Sequence, residues 1–210
     1  MNPYPLFLNL ENKKVAVFGG GKVAARKIKA LLRAGANVKV QSLDYSPKIL
    51  KLVQRKSKKS SLTLSLSPVN GGEGGGRGKS KTSVVSLLLK DADLVFAATS
   101  DRFFNEKVAA ACKKRKIWVN VADRPELCDF FVPSHLKRGA LEVAVSTNGA
   151  SPLAARRFRA ELSARIRPEA VRLLRQMKRL RRRAFRTVRS PAKRRQWFKA
   201  KIRKNFHFLY

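Results

Sequence analysis

"KKVAVFGGGKVAARKIKALLRAGANVKVQS", residues 13–42, changes its hydrophobic period twice. A short apolar run from Val15 to Phe18 gives way to three glycines, then to Val23, Ala24, Ile28, Leu31 and Leu32 at helical spacing, then to alternation at Val38 and Val40. The stretch reads as strand, turn, helix, strand, with Gly35 suited to the helix C-terminal cap. Lys22, Arg26, Lys27, Lys29 and Arg33 fall mostly on the other, polar side of that helix. Two parallel strands joined by a helix make a right-handed βαβ unit.

Inside the unit, Gly19, Gly21 and Ala24 follow the G-x-G-x-x-A dinucleotide-binding pattern. Gly19 permits the tight turn, Gly21 lets backbone approach a pyrophosphate, and Ala24 lets the helix lie close on the strand, so free N–H groups at the helix start face the phosphates. Asp44 ends the second strand about twenty residues on, where an acid accepts hydrogen bonds from ribose hydroxyls. A carboxylate there favours NAD over its 2′-phosphorylated form, although Lys39, Ser42 and nearby bases soften the repulsion. The competing explanation of the pattern is a glycine turn with no ligand.

Working outward, "SPKILKLVQRK" is a helix opening behind Ser46-Pro47, and residues 61–67, "SLTLSLS", alternate as a strand. Residues 68–83, "PVNGGEGGGRGKSKTS", cannot bury a core and read as a flexible surface loop. "VVSLLLKDA" is a short helix, "DLVFAAT" a buried strand, "DRFFNEKVAAACKKRK" a helix and "IWVNVA" the next strand. Alternating strands and helices imply an α/β fold, a Rossmann-type parallel sheet covered on both faces. After residue 123 the helices stop alternating, and "DFFVPS" and "ALEVAVST" read as two strands joined by a turn at "HLKRG". A helix then opens with Ser151 as N-cap and Pro152 in its first turn. The expected organisation is a dinucleotide-binding domain over 1–116, a small β domain over 117–150 and a basic helical segment over 151–210.

Charge is the outlier of the composition. The chain has 48 Lys and Arg against 13 acids, a net charge of +35, with 44% hydrophobic residues for a globular core. A polyanionic partner is implied: nucleic acid, an anionic membrane surface, or a small molecule rich in carboxylates or phosphates. From residue 151 onward there are 21 Lys and Arg against two Glu. Within that tail Val171, Leu174, Met177 and Leu180 form one apolar stripe at spacings of three, and Trp197, Phe198, Phe206 and Phe208 interleave with bases. The two cysteines, Cys112 and Cys128, lie sixteen apart without a CxxC, and His135 and His207 have no partner at ligand spacing, so neither a disulfide framework nor a bound metal is expected. No signal peptide and no membrane span is legible, and the expected location is the cytoplasm.

Catalytic candidates are few. "AATSDR", residues 97–102, sits at the carboxyl end of a strand, where open α/β sheets bind ligands, and Ala98 and Thr99 leave room for a cofactor. Asp101 reads as a helix N-cap. Asp123, just past "IWVNVA", stands at the rim of the same cleft, as a general acid or base, a metal contact, or a turn Asp satisfying backbone N–H groups. Asp129 has the turn reading foremost.

Taken together, "PLFLNLENKKVAVFGGGKVAARK", "DADLVFAATSD", "NVADRPELCDFFVPS" and "LEVAVSTNGASPLAARRFR" resemble the siroheme synthase N-terminal family, NAD-dependent precorrin-2 dehydrogenases of which some are also sirohydrochlorin ferrochelatases. The similarity covers residues 3–167. It implies a Rossmann domain, a small β domain that dimerises with a second copy, a helical C-terminal segment and a tetrapyrrole polycarboxylate as substrate. It places NAD contacts on Lys22, Val23, Leu43 and Asp44 and the catalytic aspartate on Asp123. Ser146, Thr147, Asn148 and Gly149 would line the tetrapyrrole side. Fe²⁺ enters as the second substrate of a chelatase step, with Asp123 as proton acceptor or transient metal contact. The resemblance leaves two features unexplained, the glycine-rich loop and the basic tail beyond Pro168. A rival of another class is a dinucleotide-sensing or nucleic-acid-binding protein using that tail.

Overall fold

The computed structural model describes residues 3–53, 61–66 and 81–205. Residues 68–80 of the expected loop, and His207 and the aromatic positions Phe206 and Phe208, lie outside the described residues.

Two compact units divide the chain, one spanning Tyr4–Phe131 and the other running from Val132 onward. The first is built on five parallel strands, β1 (Lys14–Phe18), β2 (Asn37–Ser42), β3 (Leu62–Leu66), β4 (Leu94–Ala97) and β5 (Trp118–Val121), in the order β3-β2-β1-β4-β5. Helices α1 (Lys22–Arg33), α2 (Pro47–Val53), α3 (Lys81–Leu89) and α4 (Arg102–Lys114) connect them. Alternate strand residues feed two cores. Val15, Val17, Val38, Val40 and Phe96 pack with Ala24, Ala25, Ile28 and Leu31 of α1 and Ile49 of α2. Ala16, Phe18, Val95, Ala97, Val119 and Val121 pack with Leu89 of α3 and Phe104, Val108, Ala109 and Cys112 of α4. Full burial of a side chain such as Ile28 stabilises by roughly 1.5–3 kcal/mol, so this twofold covering is what holds the sheet.

The order in which strands are added across the sheet reverses between β1 and β4, which are parallel neighbours although β2 and β3 intervene in sequence. That switch point opens a crevice beyond the carboxyl ends of the strands. Both long helices of the unit end in Schellman motifs. On α1, Gly35 at φ +86° lets its own N–H reach Leu32 O and the Ala36 N–H reach Leu31 O, each at 3.1 Å. On α4 the corresponding left-handed position is Lys116, at φ 56°.

The second unit begins with an antiparallel hairpin, β6 (Ser134–Arg138) and β7 (Leu141–Val145), followed by α5 (Pro152–Arg165), α6 (Pro168–Thr187) and α7 (Pro191–Asn205). Three sequence expectations are corrected here. The hairpin turn is Gly139-Ala140, not "HLKRG": Gly139, at φ 62°, takes the positive φ that a two-residue hairpin turn needs, and His135 to Arg138 belong to the strand. "DFFVPS" is not a strand, because Asp129 is spent on β5, its N–H donating to Val119 O and its Oδ2 accepting from Val119 N–H, both at 2.9 Å. The apolar stripe of α6 runs through Ala170, Leu173, Met177, Leu180 and Ala184 in steps of three and four, since a strict step of three drifts off a 3.6-residue helix. The compact unit that holds the parallel sheet runs to Phe131 and includes β5, which is hydrogen-bonded to β4.

Candidate functional site

A cavity of about 400 Å³ opens over the carboxyl ends of β1, β2 and β4, lined by Gly19, Gly20, Gly21, Ser42, Leu43, Asp44, Ser46, Ala98, Thr99, Ser100 and Asp101. Six of the residues expected at the cofactor, Gly19, Gly21, Leu43, Asp44, Ala98 and Thr99, are brought together here. Ala24 is fully buried beneath them, and Lys22 and Val23 are exposed in the first turn of α1.

The glycines are packed to different tolerances. Gly19 has φ +116°, and a Cβ on it would lie 2.3 Å from Ala98 O. A Cβ on Gly20 would lie 1.8 Å from Asp44 O, whereas one on Gly21 would meet nothing within 4 Å. Within the protein Gly20 is thus as closely packed as Gly19 and far more so than Gly21, and its signal was present in the sequence only as the middle of three. Gly21 is the N-cap of α1, with no side-chain cap and no acid in the first turn. Free N–H groups at that end favour an anion.

Two further details fit a dinucleotide. Ser46 Oγ is buried and has no hydrogen-bond partner among the described residues, so the cavity wall carries an unsatisfied hydroxyl. Asp44 is exposed at the rim, with Oδ1 accepting the Tyr45 N–H at 2.6 Å. On the β4 side the Thr99 turn is braced by Asn105, whose Oδ1 accepts the Thr99 hydroxyl at 2.7 Å and whose Nδ2 donates to Thr99 O at 3.0 Å. Asp101 caps α4, accepting the Phe104 N–H at 2.9 Å.

Asp123 follows β5 in a turn, exposed, at φ 59°. It does not line the cavity; its turn is tied to the neighbouring strand by Ala122 N–H, which donates to Ala97 O at 2.8 Å, one residue before Ala98. Beneath that turn lies a network that sequence reading missed. Lys27, assigned to the polar side of α1, is half-buried: its ammonium stands 4.9 Å from the Phe96 ring centroid and donates to Asn120 Oδ1 at 2.7 Å. Burial, and then Arg26, lower the Lys27 pKa, with Cys128 and Asp123 acting the other way. Asn120 Nδ2 donates to Phe130 O at 2.9 Å. The available signal was the position of Lys27 itself, three residues after Ala24 and four before Leu31 on the buried face.

Ser146, Thr147, Asn148 and Gly149 belong to the second unit, in the turn between β7 and α5. Thr147 Oγ1 accepts the Ser151 N–H at 3.1 Å, Ser146 Oγ accepts the Asn148 N–H at 3.2 Å, and Asn148 and Gly149 both have positive φ. Ser151 caps α5 through Ala154 N–H at 3.1 Å. Among the described residues no group of three or more His, Cys, Asp or Glu could hold a metal ion, and no helix is long and apolar enough to cross a membrane.

Comparison with known proteins bears on this geometry. Residues 6–134 match the family model described as putative NAD(P)-binding, and residues 138–165 match that of the sirohaem biosynthesis protein central segment. The chain is 40% identical over 166 residues to a siroheme synthase of Nitrosomonas eutropha, covering 79% of this chain and 31% of that protein. It is 32% identical over 200 residues to one of Psychromonas ingrahamii, covering 95% and 38%. The chain therefore spans about a third of the length of these curated relatives. A solved structure named "SirC, precorrin-2 dehydrogenase" superposes with a TM-score of 0.71 at 24% identity, over 95% of this chain and 89% of that one, a likeness of fold.

Proposed function

We propose that this chain, which belongs to the siroheme synthase N-terminal family with its putative NAD(P)-binding segment and sirohaem central segment, is an NAD-dependent precorrin-2 dehydrogenase. The observation that carries the reading is the crevice at the β1/β4 switch point, where the glycine turn, the uncapped start of α1, Asp44 and the unpartnered Ser46 hydroxyl converge on one dinucleotide-sized space. The names of the relatives and of the structural neighbour supply the substrate class.

In this reading Gly19, Gly21, Lys22, Val23 and Ala24 hold the pyrophosphate on the start of α1, Leu43 and Asp44 take the adenosine ribose, and Ala98 and Thr99 form the far wall. When bound, NAD⁺ supplies the hydride acceptor. Dehydrogenation also removes a proton from the tetrapyrrole, and Asp123 accepts it as general base. Ser146, Thr147, Asn148 and Gly149 bind the tetrapyrrole, and cationic side chains hold its carboxylates through charge-assisted hydrogen bonds. Fe²⁺ is the substrate of a following chelation, in which the metal displaces two pyrrole N–H protons and Asp123 again serves as acceptor or brief metal contact. The active form is a homodimer. Its support is the apolar surface that α5 leaves exposed at Leu153, Phe158 and Leu162.

Supplying precorrin-2 and NAD⁺ tests the reading: the sirohydrochlorin spectrum and NADH absorbance rise together. Folded protein that produces neither overturns it. Repeating the assay with Fe²⁺ separates a bifunctional enzyme, which goes on to siroheme, from a dehydrogenase that stops at sirohydrochlorin.

A further inference from the structure

The dehydrogenase reading leaves α6 without a role. The matched family segments end at residue 165, and α6 begins at Pro168. Its sequence, "PEAVRLLRQMKRLRRRAFRT", carries eight Lys and Arg against Glu169 alone, and all eight are exposed. Among the described residues only Arg172 pairs with a carboxylate, that of Glu169, at 2.7 Å. Cations three and four apart on one helix repel, so the sequence holds at close range charges that a polyanion would bring to rest.

These cations are arranged, not merely abundant. One cleft of about 400 Å³ is lined by Gly139 and Ala140 of the hairpin turn and by Arg175, Lys178, Arg179 and Arg182. Gly139 is needed for it: a Cβ there would lie 2.9 Å from Val171 and 3.3 Å from Arg175 Nε, at a φ that already disfavours side chains. A second cleft further along α6 shares Lys178 and Arg182 and adds Arg181, Phe185 and Arg186. There the Phe185 ring holds two guanidinium groups, Arg181 at 5.2 Å and Arg194 of α7 at 4.6 Å from its centroid. No acid lines either cleft.

We propose that α6, with the hairpin turn and the start of α7, is a binding surface for the phosphate backbone of nucleic acid. From Arg172 to Arg186 the helix rises about 21 Å, a length over which a DNA duplex presents about 12 phosphate charges. Planar guanidinium forks match phosphate oxygens in pairs. A membrane surface fits less well: a helix lying in lipid offers an exposed apolar face, whereas Ala170, Leu173 and Ala184 of α6 are buried. A carboxylate-rich small molecule would satisfy one cleft and leave the remaining length of cations unpaired.

The test is fluorescence anisotropy of the full chain with a labelled mixed-sequence DNA duplex of about 20 bp, titrated over a range of salt. Binding is expected to weaken with salt along a log–log slope of about −4 to −5, as for four to six phosphates neutralised. A variant with Arg175, Lys178, Arg179 and Arg182 all changed to Gln loses at least about tenfold in affinity and about 3.6 units of slope. A second variant removes the same charge elsewhere, with Lys107, Lys113, Lys114 and Lys116 changed to Gln, and keeps both within about a factor of three. Thermal unfolding of the two variants checks that each is folded. Equal losses in the two variants would mean that net charge alone binds, and would overturn the assignment to α6. Tighter binding to anionic lipid vesicles or to polyglutamate than to the duplex would overturn the assignment to nucleic acid. The outcome is independent of the precorrin-2 assay, so either reading can fail without the other.

Discussion

Lys27 Nζ donates to Asn120 Oδ1 at 2.7 Å, joining the second turn of α1 to the edge strand that delivers Asp123. The lysine is held over Phe96, and Asn120 passes the connection on to Phe130 O. Removing the acceptor is therefore worse than removing the donor. Asn120→Ala leaves both a half-buried ammonium and the Phe130 carbonyl without their partner and should destabilise the protein by about 3 kcal/mol. Lys27→Met keeps the apolar stem, removes a cation whose charged form burial disfavours, and should cost only about 1 kcal/mol through the unpaired Asn120 oxygen. Urea unfolding of the two variants checks the order, and a larger loss for Lys27→Met would contradict it.

Gly20 and Gly21 separate folding from ligand binding. Alanine at 20 would drive its Cβ to 1.8 Å from the Asp44 carbonyl oxygen, so the turn must shift, with a stability loss of about 2 kcal/mol or more. Alanine at 21 meets nothing within 4 Å. Gly21→Ala should melt within about 1 kcal/mol of the parent. Its methyl group instead occupies the approach of the pyrophosphate, and NAD⁺ affinity should fall at least about tenfold by calorimetry. Unchanged affinity in a folded Gly21→Ala protein would remove the phosphate from this turn.

Asp123→Asn keeps the size of the side chain and its tolerance for the left-handed backbone found there, at φ 59°, while abolishing the base. Turnover of precorrin-2 should drop about 10²–10⁴-fold with NAD⁺ binding and melting temperature unchanged. Normal turnover would rule out the general-base role.

How much of this was visible beforehand follows from what each residue does. The sheet was legible because its period changes are written in residues buried on both faces, such as Val15, Val17, Val38 and Val40. The glycine turn was legible because positive φ at Gly19 and the close approach of the Asp44 carbonyl to Gly20 leave few alternatives to glycine. Lys27 was hidden by its charge: a lysine stem can cover apolar surface, and only its partner Asn120, distant in sequence, makes that placement satisfactory. Asp129 shows the converse. Its carboxylate and its backbone bind Val119 like a neighbouring strand, which protects the edge of the sheet and consumes the very residues expected to begin the hairpin.

Lys116 occupies the left-handed position after α4, where Ile117 N–H reaches Cys112 O at 3.0 Å and Lys116 N–H reaches Lys113 O at 3.1 Å. A side chain at that φ costs about 1 kcal/mol relative to glycine. Lys116→Gly should therefore raise the melting temperature by a few degrees, about 2–4 °C for a domain of this size. A lower melting temperature would show that the lysine contributes something the cap geometry does not include.

Cys112 predicts an alkaline limit to stability. It is wholly buried on α4, and burial first, then Asp129, push its thiol pKa up to about 12, with Arg115 opposing. The folded state thus retains a proton that the unfolded chain releases from pH 9.0 upward, so folding loses up to about 1.4 kcal/mol per pH unit between 9.0 and about 12. Lys27 acts in the opposite sense, its lowered pKa making its contribution to stability rise with pH until the usual 10.5 is passed. Comparing the parent with Cys112→Ala cancels the lysine. The stability difference between them should be constant below pH 8 and narrow steadily above pH 9, when the two are followed by urea unfolding at about one-unit pH intervals. The same burial makes Cys112 inert to iodoacetamide in the native protein and reactive only on unfolding. Labelling of Cys112 at the rate of an exposed thiol, or a difference indifferent to alkaline pH, would contradict the buried thiol as the titrating group.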